Sequence, residues 1–181
     1  MDRYAAGDDA AFAQVFDAVA PRVLSYLRRK TRDEARAEDL LQQTLLQMHR
    51  ARGTFISGSA VLPWAFAIAR RLLIDEFRRD KRNVLSFAEE ATAGRAAEAH
   101  DAAPDGLLEA RETATRIQRE LLRLPESQRT AFELMRLDGL SHLEAAEALG
   151  VTVSAVKLRA HRAYAALRLV LGDAVASLGD E

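Results

Sequence analysis

Cysteine is absent from the 181-residue chain, which excludes a disulfide framework, a thiolate metal site and a thiol redox switch within it. Long hydrophobic runs are also missing, and none approaches the roughly 20 residues of a membrane-spanning helix. The N-terminus, MDRYAAGDDAAF, is acidic and lacks the charged-then-apolar order of a signal peptide. We therefore expect a cytoplasmic protein without membrane insertion.

Residues that could carry chemistry are few and scattered. The four histidines fall in different segments and form no pair at metal-ligand spacing: His49, His100, His142 and His161. The sequence has no nucleophile motif and no phosphate-binding loop, and its acidic pairs Asp8-Asp9 and Glu89-Glu90 lie in the terminus and in an irregular segment. An enzyme is therefore disfavoured, and the sequence predicts no catalytic residue, no metal site and no cofactor.

The formal net charge is only −1, but the charges are distributed unevenly. Residues 21–50 hold seven basic and four acidic side chains, and residues 51–83 hold seven and three. Residues 84–125 hold five and eight, whereas residues 151–172 hold four basic side chains and no acid. Positive regions on both sides of an acidic one can indicate a polyanion-binding surface, although solvated helices also carry mixed charge.

The apolar pattern is helical, and no alternating strand pattern or internal repeat occurs. Aromatic residues make up only 6% of the chain, which leaves the cores to alanine and leucine. Periodicity is lost over residues 86–106, an acidic segment that also contains glycine and proline. We therefore predict an all-α fold of two small helical domains, 1–85 and 107–181, joined by a flexible linker.

The stretch GLSHLEAAEALGVTVSAVKLRAHRA predicts a helix-turn-helix. Ser141 and Glu144 have the spacing of a capping box at the start of a short helix. Gly150 suits the left-handed conformation of a tight turn, and Thr152 can cap a second helix that runs from Val153 to about Leu171. In this motif the second helix enters the DNA major groove.

The second helix carries the cations of the motif. Five of its predicted DNA-binding residues share one face by helical spacing: Ser154, Lys157, Leu158, His161 and Arg162. Arg159 is also predicted to bind DNA, by turning toward the backbone. Lysine and arginine can donate to guanine O6 and N7 or to phosphate. Contact of the second helix with DNA would therefore explain why the cations of the motif lie on that helix. The alternative is an ordinary helical hairpin whose last helix is amphipathic and basic.

Three stretches together resemble the small extracytoplasmic-function (ECF) group of bacterial sigma factors, over most of the chain. LPESQRTAFELMRLDGLSHLEAAEALGVTVSAVKLRAHRAYAALR resembles region 4 of that group, which binds the −35 promoter element. AEDLLQQTLLQMHRA resembles region 2.2, and LPWAFAIARRLLIDEFRRDKR resembles regions 2.3 and 2.4, which melt and read the −10 element. A helix-turn-helix alone is common among repressors. The resemblance to sigma factors is specific because both modules are present in this order.

The resemblance implies that the chain binds core RNA polymerase through the β′ clamp helices and the β flap. The helix that resembles region 2.2 has a face mixing polar and apolar side chains, which suits a protein partner: Asp39, Leu40, Gln42, Gln43 and Leu46. Leu41 and Leu45 are assigned to the core instead.

The resemblance also implies −10 binding by a basic stripe beside the Gly/Ser loop that precedes it. The predicted residues share this region of the chain: Phe55, Trp64, Arg70, Arg71, Asp75, Arg78, Arg79 and Arg82. A loop over a basic helix can hold an unstacked base and its backbone. Whether Trp64 belongs to the core or faces DNA is left open.

The sequence departs from the pattern of the group at several positions. Glutamate is common where Gln43 stands, tryptophan is frequent near His49, and asparagine is common at the position of Arg71. In the second helix of the motif, Leu158 replaces a frequent serine.

Two further expectations concern function. The resemblance implies an anti-sigma factor as a partner, because the sequence shows no sensor of its own. The alternative function is a helix-turn-helix regulator that does not act with core polymerase as an initiation factor and uses its N-terminal half for a ligand or for dimerisation.

Overall fold

The structure, a computed structural model, describes residues 1–87, 115–117 and 119–172, and it describes side chains outside 81–87 and 170–171. No strand occurs among these residues, which confirms the predicted all-α class. In the N-terminal half, a 3-10 turn lies before α2 and another before α4, and the helices are α1 (Asp2–Ala5), α2 (Phe12–Thr31), α3 (Glu34–Ala51) and α4 (Val61–Phe87).

The C-terminal half begins with helical residues 115–117 and 119–123, which we call α5. It continues with α6 (Glu126–Arg136), α7 (His142–Leu149) and α8 (Val153–Leu171). The predicted first domain ended at residue 85, but α4 continues to Phe87. The rest of the predicted linker lies outside the described residues.

Helices α2, α3 and α4 pack around one core. Their buried residues recur at helical spacing, as Val19, Val23 and Leu27 do on α2, where each is fully buried. Tyr26 and Phe66 meet edge to face with ring centroids 5.5 Å apart, which joins α2 to α4. Pro21 is exposed within α2, and the helix continues through it.

Ion pairs on the surface join α3 to α4. Arg36 Nε donates to Glu76 Oε1 at 3.0 Å, and the same guanidinium also pairs with Asp80. Hydrogen bonds to Asp80 and then to Glu76 raise the pKa of Arg36 above its usual value. These contacts fix the direction of α4, which carries the predicted −10 residues.

The predicted helix-turn-helix is confirmed in its local details. Ser141 Oγ accepts from the Glu144 amide at 3.2 Å, and Glu144 Oε2 accepts from the Ser141 amide at 2.8 Å, so the capping box is complete. Gly150 has φ 64°, which an L side chain rarely adopts. Thr152 Oγ1 accepts from the Ala155 amide at 3.2 Å and begins α8.

The two halves of the chain share a hydrophobic core. Helix α7 packs on α4 as well as on α8, and Leu134, Leu140 and Val156 belong to the same buried cluster as the core of α2, α3 and α4. A second, smaller cluster is confined to the C-terminal half: Leu121, Phe132, Ala163 and Leu167. Separate helical modules were predicted from the sequence, whereas their packing against each other was not.

Nowhere in residues 1–87, 115–117 and 119–172 is a helix both long and apolar enough to cross a membrane.

The capping box gives a test of the helix-turn-helix. Ser141→Ala removes the side-chain acceptor for the Glu144 amide and should lower the free energy of unfolding by about 1 kcal/mol. Ser59→Ala, in the exposed loop before α4, is the matched control and should change it by less than about 0.5 kcal/mol. Urea unfolding followed by circular dichroism measures both; equal midpoints for the two variants would contradict a stabilising cap.

Candidate nucleic-acid and polymerase interfaces

The basic face of α8 is open to solvent. On the opposite side of the helix, Val156, Ala163 and Leu167 are buried against α6 and α7. Five of the six predicted −35 residues are exposed: Ser154, Lys157, Leu158, His161 and Arg162. The sixth, Arg159, is half-buried. The helix therefore presents cations outward over several turns, with no acid among its residues.

A groove of about 250 Å³ lies beside this face, between α6, the start of α7 and α8. Its lining brings Arg136 and His142 close to Lys157 and His161. Arg136 and His142 were not among the predicted residues, because each belongs to a different helix and only the fold gathers them. Arg136 therefore extends the positive surface from α8 onto α6, and His142 adds a polar side chain at the start of α7.

The basic stripe of α4 is also largely exposed. Arg71, Arg78 and Arg79 are open to solvent, while Arg70 is half-buried. Arg79 Nε donates to the Asp75 carbonyl at a long 3.4 Å, and the Asp75 carboxylate lies 3.9 Å from Arg78. Arg82 lies in α4, but its side chain is outside the described residues. The stripe keeps its net positive charge, since one carboxylate lies among several guanidinium groups.

Phe55 and Trp64 form an aromatic pair at the start of α4. Their ring centroids are 5.2 Å apart at an interplanar angle of 57°, and both side chains are half-buried. Trp64 also packs against the core. Trp64 therefore contributes to the core while keeping some exposure, and contact of its exposed part with DNA stays a prediction.

Four of the five residues predicted to bind polymerase are exposed on α3, and one is not. Asp39, Gln42 and Gln43 are exposed, and Leu46 is 45% exposed, a high value for leucine. Leu40 is only 3% exposed and belongs to the core, so its assignment to the binding face is wrong for this arrangement. The leucines at 40, 41, 45 and 46 lie on both the buried and the exposed side of α3. Only the packing of α3 against α2 and α4 determines which of them are buried.

Residues from the N-terminus extend this face. A groove of about 370 Å³ places Tyr4, Phe12 and His49 beside Gln42 and Leu46. The Tyr4 hydroxyl lies 2.5 Å from His49 Nδ1, which connects α1 to α3. The sequence offered one signal for Tyr4, an aromatic residue in an acidic terminus of a chain that is poor in aromatics.

The described residues contain no group of three or more histidine, aspartate or glutamate side chains placed to hold a metal ion. The chemistry of the exposed surfaces is that of ion pairs, hydrogen bonds and apolar contact.

Comparison with known families agrees with the geometry. Residues 15–83 match the sigma-70 region 2 family, and residues 114–167 match the sigma-70 region 4 family. The chain is 35% identical over 177 residues to the RNA polymerase sigma factor CarQ of Myxococcus xanthus, covering 96% of both chains. It is also 35% identical over 163 residues to the ECF RNA polymerase sigma factor SigF of Caulobacter vibrioides, covering 89% of this chain and 86% of that one.

The chain belongs to the ECF group of RNA polymerase sigma factors.

A solved structure with the same fold is the sigma factor RpoE of Bartonella quintana, crystallised with the anti-sigma factor NepR. The TM-score is 0.69 at 25% identity, over 88% of this sigma factor and 96% of the other. The resemblance to ECF sigma factors is therefore confirmed. The alternative of a regulator that acts without polymerase has no support, since these relatives are all named as sigma factors.

The correction on α3 can be tested with two truncations of the same kind. Leu40→Ala removes a buried side chain and should lower the free energy of unfolding by about 2–5 kcal/mol. Leu46→Ala truncates an exposed side chain and should change it by less than about 0.5 kcal/mol. Urea unfolding of both variants is the measurement. Similar losses from the two variants would mean that α3 is not oriented as described.

Proposed function

We propose that this sigma factor directs promoter-specific transcription initiation, with α3 binding core polymerase, α4 and its preceding loop binding the −10 element, and α8 binding the −35 element. The observation that carries the proposal is the exposed, acid-free basic face of α8 on a chain that also contains region 2. The protein acts in this proposal as an initiation factor for the polymerase and has no catalytic site of its own.

Helix α8 has the groups that major-groove readout needs. Lys157 and Arg162 are exposed and can donate to guanine O6 and N7, while His161 between them reaches a base or a nearby phosphate. Leu158 is 50% exposed and suits contact with a thymine methyl group. Ser154, in the first turn, lies where backbone N–H groups of a helix start favour a phosphate.

The α4 surface has the groups that bind a separated strand. Arg71, Arg78 and Arg79 provide positive charge along the helix for the phosphate backbone. The half-buried pair Phe55 and Trp64 offers aromatic rings on which an unpaired base can stack. The loop before α4 contains Gly58 at φ 79°, so its backbone follows a path that a side chain would disfavour.

The exposed residues of α3 form a surface with the composition of a protein interface. Leu46 supplies an apolar contact, with the polar groups of Asp39, Gln42 and Gln43 around it. We assign this surface to the β′ clamp helices of the polymerase, and assign the contact with the β flap to the C-terminal half.

We further propose an anti-sigma factor as a regulatory partner. A cleft of about 760 Å³ lies between α2, α4 and α6, with Tyr26, Leu73 and Phe77 among its apolar lining. Lys30 and Arg129 provide charge at the same cleft. Such a surface fits an amphipathic helix laid into a groove. The related RpoE was crystallised with an anti-sigma factor, which supports the same kind of partner here.

The polymerase contact is tested by charge reversal on α3. Asp39→Arg should weaken binding to core polymerase by about tenfold or more, because reversal at an interface places like charges together. Asp17→Arg makes the same change at an exposed position of α2 and should leave binding to core polymerase unchanged. Binding is measured by fluorescence anisotropy of labelled sigma factor with core polymerase. Equal affinities for the two variants would place the docking surface elsewhere.

The −35 contact is tested by truncation on α8. Lys157→Ala and Arg162→Ala should each lower initiation by about tenfold, since a bidentate base contact contributes about 1–3 kcal/mol. Arg168→Ala, in the last turn of the same exposed helix, is the control and should do less. Run-off transcription with core polymerase on fragments randomised at both promoter elements gives activity and preference together.

Loss of preference at single −35 positions would support base readout, whereas a uniform loss across sequences would assign the two residues to phosphates. Unchanged activity and preference in both variants would remove α8 from the groove. Absence of any initiation by the parent protein would favour a regulator that does not act with polymerase.

A further inference from the structure

Residues 1–11 of this sigma factor form a folded segment, the N-terminal strap, that packs against the C-terminal end of α3. The strap lies before the region 2 match, which begins at residue 15. Arg3 Nε donates to Asp8 Oδ2 at 2.9 Å, and Asp8 Oδ1 accepts from the Ala10 amide at 3.1 Å, so the turn after α1 is closed. The hydrogen bond from Arg3 holds the pKa of the Asp8 carboxyl below its usual value.

A buried tyrosine anchors the strap to the core. Tyr4 is only 2% exposed and belongs to the same buried cluster as the core of α2, α3 and α4. Its ring centroid lies 5.3 Å from that of Phe12, and its hydroxyl lies 2.5 Å from His49 Nδ1. Displacing the strap would return this large ring to water and break both contacts. The strap is therefore a fixed part of the N-terminal half.

Arg52 joins the strap to the start of the loop before α4. Its guanidinium lies over the Tyr4 ring, 5.1 Å from the centroid, and its Nη1 donates to Asp9 Oδ1 at 2.6 Å. Hydrogen bonds with Tyr4 and then with Asp9 raise the pKa of Arg52 above its usual value. Helix α1 also packs on the 3-10 turn Arg52–Thr54, from which the loop leaves α3. The strap and the first part of the loop are thus held together.

Asp2 holds the middle of the same loop. Its Oδ1 accepts from the Gly58 amide at 3.1 Å, a contact between residues 56 positions apart. The Ser59 amide donates to the Ile56 carbonyl at 3.1 Å, and Gly58 has φ 79°, so the loop turns sharply here. Residues 56–59 are all exposed, and in the described part of the chain no other hydrogen bond ties them to a distant segment. The path of the loop therefore depends on this one carboxylate.

We propose that Asp2 is a positioning residue for −10 recognition, because it holds the Gly58 amide and so keeps the loop in the conformation that binds the separated strand. The proposal rests on the proposed function, in which this loop binds the −10 element. Ile56 is 75% exposed, and the paired rings of Phe55 and Trp64 lie on either side of the loop in sequence. A loop already held in its binding conformation loses less freedom when DNA binds.

The opposite role for Asp2 is that of a displaceable group. A carboxylate on a backbone amide occupies a place that a DNA phosphate can take, and it would then have to leave before DNA binds. The buried ring of Tyr4, two residues away, and its contact with Arg52 favour a lasting tether instead. The two roles differ in sign, because a displaceable carboxylate predicts stronger −10 binding when Asp2 is truncated.

The tether is tested first through the mobility of the loop, a property that does not depend on DNA. The chain has no native cysteine, so a spin label at exposed Ser57→Cys reports on the loop alone by continuous-wave electron paramagnetic resonance. Asp2→Ala should give a more mobile spectrum, since the Gly58 amide loses its acceptor. Asp2→Asn keeps a side-chain oxygen and should retain most of the immobilisation.

Asp17→Ala is the matched control for this measurement, because it removes an exposed acid from α2 without touching the loop. Its spectrum should equal that of the labelled parent. Equal spectra for Asp2→Ala and the parent would overturn the tether.

The consequence for recognition is measured with the same substitutions in unlabelled protein bound to core polymerase. Run-off transcription on fragments randomised at both promoter elements gives the preference at each position. Asp2→Ala should reduce preference at −10 positions by about three- to tenfold, since the net contribution of one hydrogen bond corresponds to a change of that size. Preference at the −35 positions should not change. Asp2→Asn should recover most of the loss, and Asp17→Ala should show none.

Each outcome decides the role of Asp2. A loss confined to the −10 positions and recovered in Asp2→Asn supports positioning, because a general loss of stability would weaken both elements alike. An equal loss at both elements, or an unchanged −10 preference, would overturn it. Stronger −10 binding by Asp2→Ala would overturn it in favour of the displaceable role. A parent protein without any −10 preference would contradict the proposed function and this role together, while the mobility result would stand.

Discussion

The packing of α7 between α8 and α4 is the contact on which the arrangement of the surfaces depends. On one side α7 braces α8, so that a short helix with a capping box and a glycine turn sets the direction of the basic face. On the other side it lies on α4, which carries the exposed arginines and the Phe55–Trp64 pair. One helix of eight residues thus determines both the direction of the basic face of α8 and the distance of α8 from α4.

Short-range structure was predictable because its causes lie within a few residues. The capping box of Ser141 and Glu144, the left-handed Gly150 and the cap at Thr152 each act over four positions or fewer, and all are present. The exposed side of α8 followed for the same reason. Its buried residues Val156, Ala163 and Leu167 lie seven and four positions apart, so they share one side and leave the opposite side to solvent.

Long-range structure was not predictable from one sequence. Leu40 was placed on the binding face, but α3 has leucines on two sides and only contact with α2 and α4 selects the side that is covered. The pairing of Arg29 with Asp138 spans 109 positions, and nothing local to either residue indicates it. Arg136 and His142 join the surface of α8 in the same way, by folding alone. The roles of the site residues in binding stay predictions for the experiments described.

The length of helix α4 affects how movement at one of its ends displaces the other. Its 27 residues form one continuous rod about 40 Å long, given a rise of about 1.5 Å per residue. The aromatic pair is at one end of the rod, and the chain leaves for the C-terminal half from Phe87 at the other. A rotation of about 10° at the aromatic end would carry Phe87 through about 7 Å, given that length. A small movement of α4 at its aromatic end would therefore be magnified at Phe87, the last residue described before the C-terminal half.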